Sequence, residues 1–295
     1  MRASIRSALS GAWFIIKLVI PLYILADVLL YFDLLSPVSF LFKPLTGMLF
    51  LPQEAAVALA AGVLLNIYAA IAFAAPLGLN GFQWTILGVF LGVCHSLPVE
   101  SAIMSRLRVS YGYSVLLRIT VACLAVLPVL FLPQSWFHEV LEQAQPTAVI
   151  REGFGQMLSS SLLNAASLTF KIVCLISVLS ICLDLLNRSV IITKKLRKVN
   201  ALFSIIVGLF LGITYGGTLL ARELQQGSLT TKDLFFVATF LMICHSVVED
   251  ILLFVLLGAN FWVIFSIRMT AALFVSVSLS LLVPRVSSFD LFIRK

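Results

Sequence analysis

Two short stretches decide how this chain is read: Cys94-His95-Ser96-Leu97-Pro98-Val99-Glu100 and, 150 positions later, Cys244-His245-Ser246-Val247-Val248-Glu249-Asp250. Each sets C-H-S inside an apolar run and places an acid five residues after the histidine. The chain holds only 3 His and 5 Cys, so two of each in the same local pattern mark an internal duplication. Arg118-Ile119-Thr120-Val121-Ala122 matches Arg268-Met269-Thr270-Ala271-Ala272 at the same offset. Leu64…Tyr68-Ala69-Ala70 resembles Leu211…Tyr215-Gly216-Gly217 at a slightly smaller one. We read two copies of one membrane unit, with the C-H-S stretches as their working ends.

The composition is that of an integral membrane protein. Apolar residues make up 61% and charged residues 11% of the sequence, and the mean hydropathy is +1.11. A water-soluble domain of this length could not hide that much apolar surface. The excess of 20 basic over 13 acidic residues sits mostly in short loops and at the termini. There it sets membrane orientation and is not a nucleic-acid footprint. The first apolar run continues to Phe32 without a small-residue cleavage site and reads as an uncleaved span. The cysteines fall inside spans and do not form a secreted disulfide framework. Short loops and a basic N-terminus suit a bacterial inner (cytoplasmic) membrane.

A spanning helix needs roughly 20 mostly apolar residues. The expected spans are Ala12–Phe32, Gln53–Ala74, Ser114–Leu132, Ser159–Leu186, Ala201–Leu220 and Phe261–Val283. Ser36–Pro52 is proline-broken and reads as interfacial. Phe82–Arg108 and Asp233–Gly258 are long apolar segments interrupted at His95 and His245. The positive-inside rule arbitrates between crossing and turning back. If both are re-entrant hairpins, Arg106, Arg108, the Arg188–Lys198 cluster and both termini are cytosolic, and the acidic Pro133–Gly155 loop is external. If both cross, the cluster moves outside. The expected fold is therefore an all-α polytopic membrane protein of two inverted repeats, each of three transmembrane helices plus a re-entrant helical hairpin. The first repeat covers 1–132, an external acidic loop 133–158, and the second repeat 159–295. Many secondary transporters share this plan, with sites near the midplane at broken helices.

The doubled unit and the hairpin carrying His95-Ser96-Leu97-Pro98-Val99-Glu100 resemble the Gate, or nucleoside recognition, family of membrane proteins. That family is related to concentrative nucleoside transporters, the membrane part of ferrous-iron transporters and spore-maturation proteins. The resemblance implies a transport-like fold and leaves the cargo open.

Charged groups at mid-bilayer depth cost at least about 2.5–3.5 kcal/mol and mark functional sites by default. The expected substrate site is His95, Ser96, Glu100, His245, Ser246, Glu249 and Asp250, with Arg118 and Arg268. The two arginines either pair with hairpin acids, as Arg118 with Glu100 and Arg268 with Asp250 or Glu249, or clamp an anion in bidentate fashion. A metal reading takes Cys94, His95, Glu100, Cys244, His245 and Asp250 as ligands, since His and carboxylate suit divalent ions and Cys shifts the preference toward softer ones. The same residues suit proton coupling. The bland alternative is a set of polar plugs closing hairpin backbone. Lys171 and Asp27 also fall inside spans. Asn66, Tyr68, Asn164 and Tyr215 read as lining a polar path or as helix–helix glue. No P-loop, GxSxG or HExxH is present, and no enzyme is expected. The expected partners are the lipid bilayer and a small-molecule or ion substrate, and a homo-oligomer stays open. The expected function is a secondary transporter or permease for a small polar or anionic solute such as a nucleoside-like compound. Its rivals are a divalent-metal permease or metal-binding protein, a membrane scaffold, and a flippase for a lipid-linked phosphate.

Overall fold

The same period of 150 that repeats the C-H-S stretches repeats the helices. In the computed structural model, α1 spans Arg2–Tyr31, α2 Ala55–Leu64 and α3 Ile67–Ala74. Then come α4 (Gly81–Cys94), α5 (Leu97–Arg106), α6 (Tyr111–Val126) and α7 (Phe154–Arg188). The chain continues through α8 (Thr231–Ile243), α9 (Val247–Val255) and α10 (Phe261–Val286). The starts of α4, α5 and α6 recur in α8, α9 and α10, each 150 residues on. The structure describes residues 2–34, 43–137, 153–188, 205–210, 212, 220, 230–286 and 292–293. Among these there is no strand beyond a single bridge between Val109 and Ile293.

Local chemistry starts the repeated helices in the same way. Asn80 Oδ1 accepts from the Gln83 N–H at 2.9 Å, and Gln83 Oε1 accepts from the Asn80 N–H at 3.1 Å. Thr230 and Asp233 form the matching reciprocal cap, at 3.1 and 3.2 Å. Each closes two of the donors that a helix start leaves unpaired. α4 and α5 are about 21 and 15 Å long at 1.5 Å per residue. Neither arm alone crosses a hydrocarbon layer of about 30 Å.

Six described segments are long and apolar enough to cross a membrane: Leu9–Tyr31, Gly81–Arg106, Tyr111–Phe131, Phe154–Cys182, Thr231–Val255 and Phe261–Val283. The two interrupted ones are 72% buried inside the protein, against 22% for Leu9–Tyr31 and Phe154–Cys182. Freed backbone groups at the interruptions are tolerated only where protein or a wet cavity shields them. The two interrupted segments are accordingly the most buried of the six.

The described chain divides into two compact units, each drawing on both sequence repeats. One comprises Met1–Leu87, Pro133–Asp184 and Leu253–Asn260, and the other Gly88–Leu132, Leu185–Leu252 and Phe261–Lys295. In the first unit, Phe154 packs against Tyr31 and Phe32 with ring centroids 5.8 Å away. Asn260 ties this unit's ends together, its N–H donating to Thr85 Oγ1 at 2.9 Å and its Nδ2 to Trp136 O at 2.7 Å. In the second unit, Tyr113 stacks on Phe235 at 5.5 Å and shares a 2.7 Å hydrogen bond with Thr239.

Two sequence expectations change. Gln53–Ala74 is not one helix: it breaks at Leu65 and Asn66, where extended Asn66 (φ −170°) caps α3 by accepting from the Ala69 N–H at 3.0 Å. α7 begins at Phe154, inside the stretch 133–158 assigned to the loop. Residues 43–48, within the stretch expected not to span, form a short helical turn, in keeping with that expectation. Most of Ala201–Leu220, Tyr215, the Arg188–Lys198 cluster beyond Arg188, residues 138–152 of the acidic loop and the last two residues lie outside the described residues.

Candidate functional site

A helix that stops inside a membrane protein leaves its last carbonyls without partners. Here the side chains of the repeat supply them. His95 Nδ1 hydrogen-bonds the Leu91 carbonyl at 2.8 Å, and His245 Nδ1 the Leu241 carbonyl at 2.7 Å. Arg118, fully buried on α6, donates through Nε to Val93 O and through Nη2 to His95 O, both at 2.7 Å. Arg268, fully buried on α10, donates through Nη2 to His245 O at 2.8 Å. A cation at a helix C-terminus also meets the negative end of the helix dipole.

One residue then separates the two helices at each break. Ser96 and Ser246 both sit at φ 47°. This left-handed conformation costs an ordinary side chain roughly 1–2 kcal/mol and lets a new helix start at once. Glu100 and Asp250 fall in the first turn of that new helix, the positive end of its dipole. The Glu100 N–H reaches Ser96 O at 3.0 Å, and the Asp250 N–H reaches Ser246 O at 2.9 Å. Each break therefore stacks an arginine under one helix end and an acid over the next. The ion pairs follow, with Arg118 Nη2 to Glu100 Oε2 at 2.7 Å and Arg268 Nη1 to Asp250 Oδ2 at 3.2 Å. In its 0%-exposed position, Arg268 runs along Gly92, where a β-carbon would come 2.9 Å from its Cδ.

The two breaks meet within the second compact unit. The His95 and His245 rings lie with centroids 5.4 Å apart, tilted by 37°. Both turn Nε2 to the same carboxylate: His95 to Glu100 Oε1 at 3.1 Å and His245 to Glu100 Oε2 at 3.2 Å. The ligand atoms of His95, Glu100 and His245 all lie within 4.8 Å of one another, and all three residues are buried. The repeat is thus symmetric in backbone and asymmetric in chemistry. Asp250, one methylene shorter than Glu100, stays with Arg268 while Glu100 joins the centre.

The structure revises several expected roles. Cys94 and Cys244 are buried, free thiols outside this group of ligand atoms, and so is Asp250. A helical side chain at the residue before the histidine points elsewhere on the turn, which is why the thiols do not converge with the rings. Ser96 and Ser246 act through backbone conformation; the Ser246 N–H reaches Gly208 O at 3.3 Å. Glu249 is half-buried and lies outside the group. Neither arginine is held out to a ligand as a free fork, because acids and carbonyls occupy both. Arg118 Nη1 is nevertheless buried with no hydrogen-bond partner among the described residues. Lys171 is exposed on α7, and Asp27 is half-buried on α1. Gly92, which gives Arg268 its room, went unnoticed in the sequence; its position two residues before Cys94 was the only hint.

Fold and site define the class: an all-α, multi-pass membrane protein with two interrupted helices whose breaks share a buried charged centre. No family model matches the chain. The chain is similar to an uncharacterized membrane protein of Bacillus subtilis (strain 168), YvoD, at 24% identity over 294 residues, covering 94% of this chain and 93% of that protein. No solved structure matches it significantly.

Proposed function

We propose that this protein is a secondary transporter whose cargo or coupling ion passes through the centre formed by His95, Glu100 and His245. The observation that carries the reading is the convergence of two histidines from two interrupted helices on one buried carboxylate. Broken helices with ionisable ends, doubled along the chain, are how many transporters build a midplane site, and inverted orientation of the two repeats with re-entrant hairpins fits the charge bias of the loops. The relative, a membrane protein matched over 93% of its length, agrees with the class and adds nothing on cargo.

The chemistry selects among cargoes. An anion clamp needs a guanidinium with its fork open, and both arginines already serve an acid and helix-end carbonyls. This arrangement favours a nucleotide-like or phosphate-bearing cargo, and with it the lipid-linked phosphate flippase, less than a cation. What the centre offers is electron-pair donors, which favours a cation. The test is uptake into proteoliposomes of purified protein, with Zn²⁺, Mn²⁺, protons and a radiolabelled nucleoside as probes. The reading expects uptake of at least one probe and at least a tenfold loss on His95→Ala or Glu100→Ala at equal protein incorporation. Transport that survives both substitutions unchanged would refute the site.

A further inference from the structure

The hydrogen bonds of the two histidines fix more than their orientation. A backbone carbonyl can only accept, so each Nδ1, held by Leu91 O or Leu241 O, carries a proton. In the neutral ring, Nε2 is then a lone pair, and both lone pairs face the carboxylate of Glu100. His245 Nε2 lies 3.2 Å from Glu100 Oε2, which already takes Arg118 Nη2 at 2.7 Å, and this ring nitrogen finds no hydrogen-bond partner of its own among the described residues. Three electron-pair donors crowded in a buried space repel unless a cation lies between them. One proton relieves one of the two contacts; a single divalent ion relieves both.

We infer that His95 Nε2, His245 Nε2 and the Glu100 carboxylate form a binding site for a divalent first-row transition ion. The inference deepens the transport reading by naming the class of ion at the same centre. Its donor set of two imidazoles and a carboxylate suits Zn²⁺, Fe²⁺ or Mn²⁺, and the exclusion of Cys94 and Cys244 removes the preference for softer ions. Donors about 2.0–2.1 Å from one tetrahedral ion stand roughly 3.4 Å from each other; His95 Nε2 and Glu100 Oε1 are 3.1 Å apart, and one donor atom from each of the three residues lies within 4.8 Å of the other two. Metal-binding histidines commonly give their other ring N–H to a backbone carbonyl, which fixes the tautomer, and both rings do so here. Arg118 at Glu100 Oε2 holds the carboxylate in place, with Oε1 facing His95 Nε2.

The experiment uses the full-length protein in detergent micelles, titrated calorimetrically with Zn²⁺ after chelator treatment. The expected result is one equivalent per chain. His95→Ala, His245→Ala and Glu100→Gln should each weaken binding by at least about 100-fold, beyond the loss typical of supporting residues. Cys94→Ser with Cys244→Ser should leave affinity within about threefold. X-ray absorption of the Zn²⁺-loaded native protein guards against misfolded variants, because it needs none: the expected shell is nitrogen and oxygen with imidazole scattering. Less than a tenth of an equivalent of Zn²⁺, or a sulfur shell, overturns the inference. Failure of the two readings is distinguishable. Binding without uptake of any probe rejects transport and keeps the metal site, whereas uptake without Zn²⁺ binding rejects the metal site and keeps transport.

Discussion

Replacing Arg118 by Leu tests the architecture of the breaks. Arg118 is 0% exposed and serves three acceptors at 2.7 Å: Val93 O, His95 O and Glu100 Oε2. Removing one partner of a buried ion pair costs about 3–5 kcal/mol, because the remaining charge stays buried without compensation. Each carbonyl left bare adds about 1–3 kcal/mol where water does not reach it. Entry of water and repacking make these terms less than additive, so the ion-pair figure is a floor of about 3–5 kcal/mol. At roughly 2 °C per kcal/mol for a chain of this size, the thermal midpoint in detergent falls by about 6–10 °C or more. Arg268→Leu should cost less, since Arg268 reaches a single carbonyl and its acid lies at 3.2 Å. Adding Glu100→Gln to Arg118→Leu should recover part of the loss by removing the stranded charge. The assay is fluorescence-detected thermal unfolding of the three variants beside the native protein. A midpoint within about 2 °C of native for Arg118→Leu, or a larger loss for Arg268→Leu, would refute the reasoning.

The remaining predictions concern single positions. Gly92→Ala should destabilise by about 1–3 kcal/mol, because its β-carbon meets the anchored Arg268 side chain, while Gly112→Ala, with open space around it, should be neutral or slightly stabilising; thermal melts compare the two. Ser96→Gly and Ser246→Gly should be tolerated and Ser96→Val should lose about 1–2 kcal/mol or more, since both serines sit at φ 47°; equal stability of the Gly and Val variants would contradict a left-handed break. Asn66→Ala should cost about 1 kcal/mol through loss of the cap on Ala69 N–H, visible as faster hydrogen exchange over residues 67–74. Glu100→Asp withdraws the carboxylate from the histidines, so Zn²⁺ affinity should fall at least about tenfold while the Arg118 pair persists.

Much of this was legible because a membrane sequence makes polar residues conspicuous. His95, His245, Glu100, Asp250, Arg118 and Arg268 stand out against apolar runs, and their common offset announces that they act as matched sets. The pairing of each arginine with an acid was also readable, since two charges at matched depth have few other partners. What the sequence could not convey depends on direction rather than identity. Cys94 adjoins His95, yet the turn sends the thiol away from the ring's target. Glu100 and Asp250 are equivalent by position, and only the length of the side chain, measured against a fixed backbone, decides which acid joins the histidines. Asn66 read as glue between helices because its local role as a cap shows only once the backbone is seen to break there. The arginines' service to Val93 O and His95 O was hidden for the same reason: it answers carbonyls that a continuous helix would never have exposed.

Whether the two histidines belong to one centre can be measured as proximity inside the membrane, without knowing any cargo. With all native cysteines replaced, His95→Cys and His245→Cys are introduced together and the protein in native membranes is treated with Hg²⁺, which bridges thiols facing a common point. Rings 5.4 Å apart predict an intramolecular bridge that blocks later alkylation of both thiols in the double variant and of neither single variant. Full alkylation of both thiols after Hg²⁺ treatment would contradict the shared centre.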